Sequence, residues 1–297
     1  MEKSKVYFTK EITPDSLVKI YNALGITLPG KVAVKVHSGE KGNQNYLRPQ
    51  FMRKIVEYVN GTIVECNTAY GEAFSNGERD LTEKHLKVID EHGWNKYYTV
   101  DLLDAEGPDF EIAIPNGKKL KKDILGKNIK TYNSMLIISH FKGHPMGGYG
   151  GALKQLSIGC ASSAGKALIH SAGKTTDTIK AWENTDHNGF LESMAEAASA
   201  VVDYFRGNLA FINVMCNMSV DCDCCSVAED PCMRDIGILA SIDPIAVDQA
   251  CIDLVKVSDD PGKVHFLERV NSRNGMHTIE VAENLGFGTT DYELIEI

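Results

Sequence analysis

The sequence predicts an α/β protein, with layered, Rossmann-like parallel or mixed sheets flanked by helices, set out as two closely packed lobes over residues 1–130 and 131–297. Three observations carry that expectation. Val-rich alternating runs and helix-spaced segments take turns through residues 6–94, the pattern of strand–helix–strand units on a parallel sheet. The apolar run Met135–Ile138 suits a strand covered on both faces. An Ala-rich amphipathic segment at 190–205 then leads into a second buried run at 209–218.

In order, Val6–Phe8 make a short strand, and Thr13 caps a helix that starts with Pro14 near its first turn and closes near Gly25. KVAVKVHSG (31–39) is a strand whose carboxyl end delivers His37 into a polar loop, where ligands of open α/β sheets gather. His37 is either a site residue or a loop-surface one. A helix over 49–59, a strand over 61–69 and a helix over 82–94 follow, the last with a Thr82 cap and a stop at Gly93. His85 and His92 on it read as surface or packing residues. Residues 97–104 and 110–117 alternate as strands, the second opening a hairpin-like excursion. Beyond 209–218 come a cysteine-rich loop, an apolar run at 236–242, and a helix capped by Asp243. The tail is helical until DYELIEI, which suits a closing edge strand.

The centre of the chain is SHFKGHPMGGYGGALKQLSIGCASSAGKALIH, residues 139–170. It holds His140, His144, His170, Lys154, Lys166 and Cys160, and no Asp or Glu. A strand ending in a glycine-rich turn (Gly147, Gly148, Gly150, Gly151) that enters a helix offers unpaired N–H groups and a positive dipole end to a phosphate or carboxylate. Lys154 in the first helical turn and Lys166 beyond it add positive charge, while His140 and His144 can move protons near neutral pH. The glycine spacing is neither the dinucleotide fingerprint nor the P-loop.

Composition narrows the partners. A formal charge of -9, with no basic block beyond KKLKKD at 118–123, argues against nucleic acid and anionic membrane surfaces. No run reaches the length of a membrane span and no secretory apolar segment opens the chain, so a cytoplasmic protein is expected. A small anionic ligand is the expected partner.

Five of the eight cysteines lie between 216 and 232, and in a reducing compartment such a cluster reads as metal or redox chemistry. Cys222, Cys224, Cys225 and Cys232 are the candidate ligands, with Asp221 and Asp223 as hard neighbours that could ligate or raise the thiols. The spacing fits neither paired C-x-x-C zinc units nor the ferredoxin run, and reactive thiols or a structural loop stay open. Cys66 and Cys251 sit in apolar settings and read as buried hydrophobes.

KVAVKVHSGEKGN with YLRP, NTAYGE with GERDLTEKHL, HFKGHPMGGYGGALKQLSIGCASSAGK, and CDC before DIGILASIDPIAVDQACIDL together resemble the DUF362 family, many of whose members are described as iron-sulfur proteins. The resemblance spans nearly the whole chain and implies an α/β fold with an iron-sulfur or metal role. Many relatives carry a two-cluster ferredoxin module after the GK-containing stretch; residues 171–189 hold no cysteine, so this chain looks like the core without it. HPMGGYGGALKQLSIG is also similar to nickel-pincer lactate racemases, with His144 followed ten residues later by Lys154 and sixteen further on by His170. That likeness implies a proton-transferring base at His144, a covalent cofactor anchor at Lys154 and a nickel ligand at His170.

Two functions follow. One is a metal- or iron-sulfur-binding protein, possessing Fe, Zn or Ni and open to redox work, with Cys222, Cys224, Cys225, Cys232, His170 and His37 as ligands. The other is an isomerase- or racemase-like enzyme doing acid–base chemistry on a small anionic organic substrate through His140, His144, Lys154 and His170. A regulatory or scaffold protein with an unused site is the third. Both livelier readings expect segments near 37, 140–170 and 222–232 to line one shared hollow.

Overall fold

A computed structural model describes residues 3–71, 76–108, 110–183 and 186–297. Eight strands form one sheet in the order β12-β1-β11-β10-β7-β2-β3-β4. They are β1 (Ser4–Thr9), β2 (Val32–Lys35), β3 (Gly61–Glu65), β4 (Val100–Leu102), β7 (Ser134–His140), β10 (Leu209–Met215), β11 (Gly237–Ser241) and β12 (Tyr292–Glu296). Strands β10, β7, β2, β3 and β4 run parallel, whereas β11 is antiparallel to both β10 and β1. Two small hairpins lie outside the sheet: β5 (Phe110–Ala113) with β6 (Lys122–Leu125), and β8 (Lys142–His144) with β9 (Gly148–Gly150).

The layered α/β expectation holds in detail. On β7, Met135 and Ile137 face one core cluster while Leu136 and Ile138 face another, so the period-2 pleat splits a continuous apolar run between two covered faces. The first face is covered by α4 (Ala152–Cys160), α6 (His187–Phe205) and α7 (Pro244–Val257), the second by α1 (Pro14–Ala23) and α2 (Arg53–Tyr58). Thr13 accepts from Ser16 N and Asp243 from Ile245 N and Ala246 N, so both expected caps form. β12 closes the sheet edge.

Some local expectations shift. The helix over 49–59 starts as a 3-10 turn at Pro49–Met52 before α2. In α3 (Thr82–Glu91) the cap position is Leu81, because the Thr82 hydroxyl donates to Ala105 O instead. The glycine-rich turn is a hairpin, β8–β9, whose Gly148 takes a positive φ of 78°. The chain passes position 130 with no break in the sheet, and β1 of the first segment lies between β11 and β12 of the second.

Connectivity places the site. From β2 the chain steps outward to β3 and β4, then returns to lay β7 on the other side of β2 and continues to β10. The strand order therefore reverses between β2 and β7, and the crevice beyond the carboxyl ends of those two strands is where such sheets bind ligands.

Candidate functional site

A cavity of about 490 Å³ opens at that switch point. His37 comes from the loop after β2, Cys66, Thr68, Ala69 and Tyr70 from the loop after β3, His144 from β8, and Lys154 from α4. Lys166 and His170 come from α5 (Ser163–His170), and Cys224 and Cys225 from the loop after β10. The three segments expected to converge do so.

Close backbone approach makes the convergence possible. A Cβ on Gly143 would lie 2.2 Å from Val220 O, so only glycine lets β8 lie against the start of the cysteine loop. A Cβ on Gly165 would lie 2.1 Å from Ile124 O, which keeps α5 tight on β6. The cysteine loop is pinned from its other side: Glu40 N donates to Asp223 O, Asn43 Nδ2 to Cys225 O, and Tyr70 Oη to Cys224 O.

His144, Cys222 and Cys224 place one ligand atom each within 4.8 Å of one another. The Lys154 ammonium is 3.7 Å from Cys222 Sγ, and Cys224 Sγ is 3.8 Å from His144 Nε2. Burial by itself would raise the Cys222 thiol. The hydrogen bond from Cys224 and the charges of Lys154 and Lys142 overturn that and hold it well below the ordinary thiol value. Cys224 moves the opposite way, raised well above the ordinary thiol value by its hydrogen bonds with Cys222 and Cys225 and by burial. Burial lowers His144, leaving a neutral ring. Its Nδ1 accepts from Met146 N at 3.1 Å and Gly147 N at 2.8 Å, which puts the ring proton on Nε2, facing the sulfurs.

Around this centre lies a layer of buried charge: Lys35 with Glu65 at 2.9 Å, Arg79 with Glu40 at 3.1 Å, and Lys142 with Asp223 at 3.1 Å. His37 is close to Arg79 and is held well below its ordinary value, first by burial and then by that guanidinium. His170 is stacked on Phe190 and lies against Trp182, and burial pushes it down to about 3.

Several expectations are corrected. His140 does not face the cavity: its Nδ1 meets the Asp223 carboxylate at 2.8 Å and its Nε2 meets Cys216 O at 2.6 Å, so neither nitrogen is open to a ligand's proton. The turn of Gly147, Gly148, Gly150 and Gly151 binds no external anion through α4, because Asp248 accepts from Ala152 N at 2.7 Å and Leu153 N at 3.0 Å. The physics of the helix N-terminus holds, and the chain supplies the carboxylate itself. The four-cysteine ligand set is not assembled among the described residues. Cys225 lines the cavity outside the His144–Cys222–Cys224 group, and Cys232 donates to Met218 O away from the cavity. Asp221 is held by Arg269 and Asp223 by His140 and Lys142, so neither carboxylate is free to ligate. His37 and His170 line the cavity but stand outside the three-residue group. Of the two roles expected for His85, packing is the one it has: it is fully buried between Ser38 and Asn67.

A profile described as "Domain of unknown function (DUF362)" matches residues 32–253. The chain belongs to the DUF362 family. The matched segment of this DUF362 protein contains every cavity residue named above. No curated protein matches it. Among solved structures it is similar to the lactate racemase apoprotein from Thermoanaerobacterium thermosaccharolyticum, at 15% identity and a TM-score of 0.39 over 70% of this chain and 50% of that one. It is also similar to a structural-genomics protein from Thermotoga maritima, at 10% identity and a TM-score of 0.43 over 91% and 58% of the two chains. The DUF362 chain thus spans about half the length of those neighbours, and TM-scores under 0.5 bear on neither activity nor ligand. No helix among the described residues is long and apolar enough to cross a membrane.

Sequence reasoning missed Lys35, Glu65 and Lys142. Lys35 within VAVK and Glu65 within GTIVE, each the lone charge of an otherwise apolar strand, were the available signal, since a buried charge demands a buried partner.

As a donor set, two thiols and an imidazole suit a soft or borderline ion such as Zn, Ni or Cu(I), and a four-thiolate iron-sulfur cluster does not fit the cysteines gathered here. His144 joins as a ligand only when Nε2 gives up its proton or Nδ1 leaves its two N–H donors.

Proposed function

We propose that this DUF362 protein holds one soft transition-metal ion between Cys222 and Cys224, with His144 as the third donor, on the wall of the switch-point cavity. The observation that carries the reading is the approach of those three donors to within 4.8 Å in a buried site. Lys154 and Lys142 support it by keeping Cys222 in the thiolate form that binds metals. A bound ion would supply Lewis-acid or redox chemistry to whatever occupies the cavity. The test is titration of the reduced, anaerobic full chain with Co(II), followed by thiolate-to-metal absorption and by metal retained after desalting. One equivalent should bind, and Cys222→Ser or Cys224→Ser should abolish it. Wild-type protein with no such band and no retained metal refutes the reading.

One observation favours a second reading, acid–base catalysis on a small organic anion: the His144 proton sits on Nε2, 3.8 Å from Cys224 Sγ at the cavity wall. His144→Ala separates the two. The metal reading expects a weaker Co(II) site, whereas the acid–base reading expects the Co(II) site unchanged.

A further inference from the structure

Among the described residues, Lys166 is a buried cavity cation with no ion-pair partner. Lys35 is matched by Glu65, Arg79 by Glu40, Lys142 by Asp223, and Lys154 by Cys222. Lys166 is 6% exposed and donates to the carbonyl of Ala161 at 2.6 Å, and among the described residues no carboxylate lies within ion-pair distance of it. The neighbouring Cys66 thiol is pushed up by burial, Asp104 and Glu65 act on Lys166 only from beyond ion-pair distance, and Asp104 is turned to Asn67 N and Ser163 N. A buried ammonium without a counterion is costly, and a cavity ligand that brings one relieves that cost.

His170 stands one turn further along α5, on the same face as Lys166. It is 7% exposed, and among the described residues its buried Nδ1 has no hydrogen-bond partner. An unsatisfied buried polar group next to an unmatched cation is a recognition pair with its ligand missing from the chain's own groups. The cavity wall beside them is apolar and aromatic: Tyr70, Trp182, Ile158 and Met146. One unmatched positive charge suits a monoanion, and a phosphate dianion would need a second.

We propose that Lys166 and His170 bind the carboxylate of a small aromatic acid, whose ring lies against Trp182, Ile158 and Met146 inside the switch-point cavity. This goes beyond the metal centre and does not depend on it, since neither Lys166 nor His170 belongs to the His144–Cys222–Cys224 group. Burial lowers Lys166, and an arriving carboxylate works against that shift, so the bound form is a charged pair in a dry site.

The test uses the metal-free full chain and benzoate as the probe, with benzamide as its uncharged analogue and phenyl phosphate as the dianion. Binding is followed by calorimetry and by tryptophan fluorescence, where Trp182 lies in the wall and Trp94, the other tryptophan, is buried elsewhere. Benzoate should saturate and bind at least tenfold more tightly than benzamide or phenyl phosphate. Lys166→Met should weaken benzoate at least tenfold, and Lys166→Arg should keep part of the affinity. No saturable benzoate binding, equal binding of benzamide, or tighter binding of phenyl phosphate overturns the proposal. So does a Lys166→Met protein with wild-type melting and wild-type benzoate affinity. Should Lys166→Met fail to fold, the comparison of the three probes on wild-type protein still decides. Loss of benzoate binding alongside an intact Co(II) site would refute this inference alone, and the converse would refute only the metal reading.

Discussion

Asp223→Asn should destabilise the protein by about 3–5 kcal/mol at pH 7, the usual cost of removing one partner from a buried ion pair. Asp223 is 1% exposed and receives His140 Nδ1 at 2.8 Å and Lys142 Nζ at 3.1 Å. The amide keeps the shape but removes the charge, and its N–H₂ group faces two donors. For a chain of this size that loss lowers the melting temperature by roughly 6–20 °C, at about 2–4 °C per kcal/mol. Burial alone would raise the Asp223 carboxyl, but His140 and Lys142 reverse the effect and hold it far below the usual range. A carboxyl whose folded pKa is depressed gives its full stabilisation above the unfolded value of about 3.9 and loses it as pH falls toward the folded value. The gap between wild type and Asp223→Asn should therefore be full at pH 7 and shrink below about pH 4. Melting by circular dichroism at a series of pH values measures it. A gap of under 1 kcal/mol at pH 7, or one unchanged at pH 3, would refute the claim that this carboxylate anchors the cysteine loop through charge.

Two further substitutions probe the assembly of the site. Gly143→Ala sets a methyl 2.2 Å from Val220 O and 2.5 Å from its Cα, backbone that has nowhere to retreat, so it should cost about 1–3 kcal/mol in melting experiments. It should also weaken Co(II) binding, because β8 and the cysteine loop are forced apart; full affinity would show that their contact is dispensable. Lys154→Met removes a charge that lowers Cys222, after burial and the Cys224 hydrogen bond are counted, so the pH midpoint of Cys222 alkylation by iodoacetamide should move upward. An unmoved midpoint, read by mass spectrometry of the Cys222 peptide, would remove Lys154 from that role.

Much of the fold was legible because its signals are local. The apolar run of β7, the Thr13 and Asp243 caps and the Ala-rich α6 each follow from a few consecutive residues, where periodicity and propensity act without long-range help. The candidate site was legible in part for the same reason: His144, Lys154, Lys166 and His170 lie within one short stretch. His140 was misplaced because its partners, Asp223 and Cys216, come from the loop after a different strand.

The sequence by itself determined the layered α/β class, the principal strands and helices such as β2, β7, α6 and β10, and the two segments that carry the reactive groups. Only the tertiary structure decided that the strand order reverses between β2 and β7, that Asp248 fills the N-terminus of α4, and which thiols meet His144. The physical reason is that pairing of buried charges and donors depends on distances between strand ends far apart in the chain. Those distances are set by sheet order and close glycine contacts, and no run of neighbouring residues encodes them.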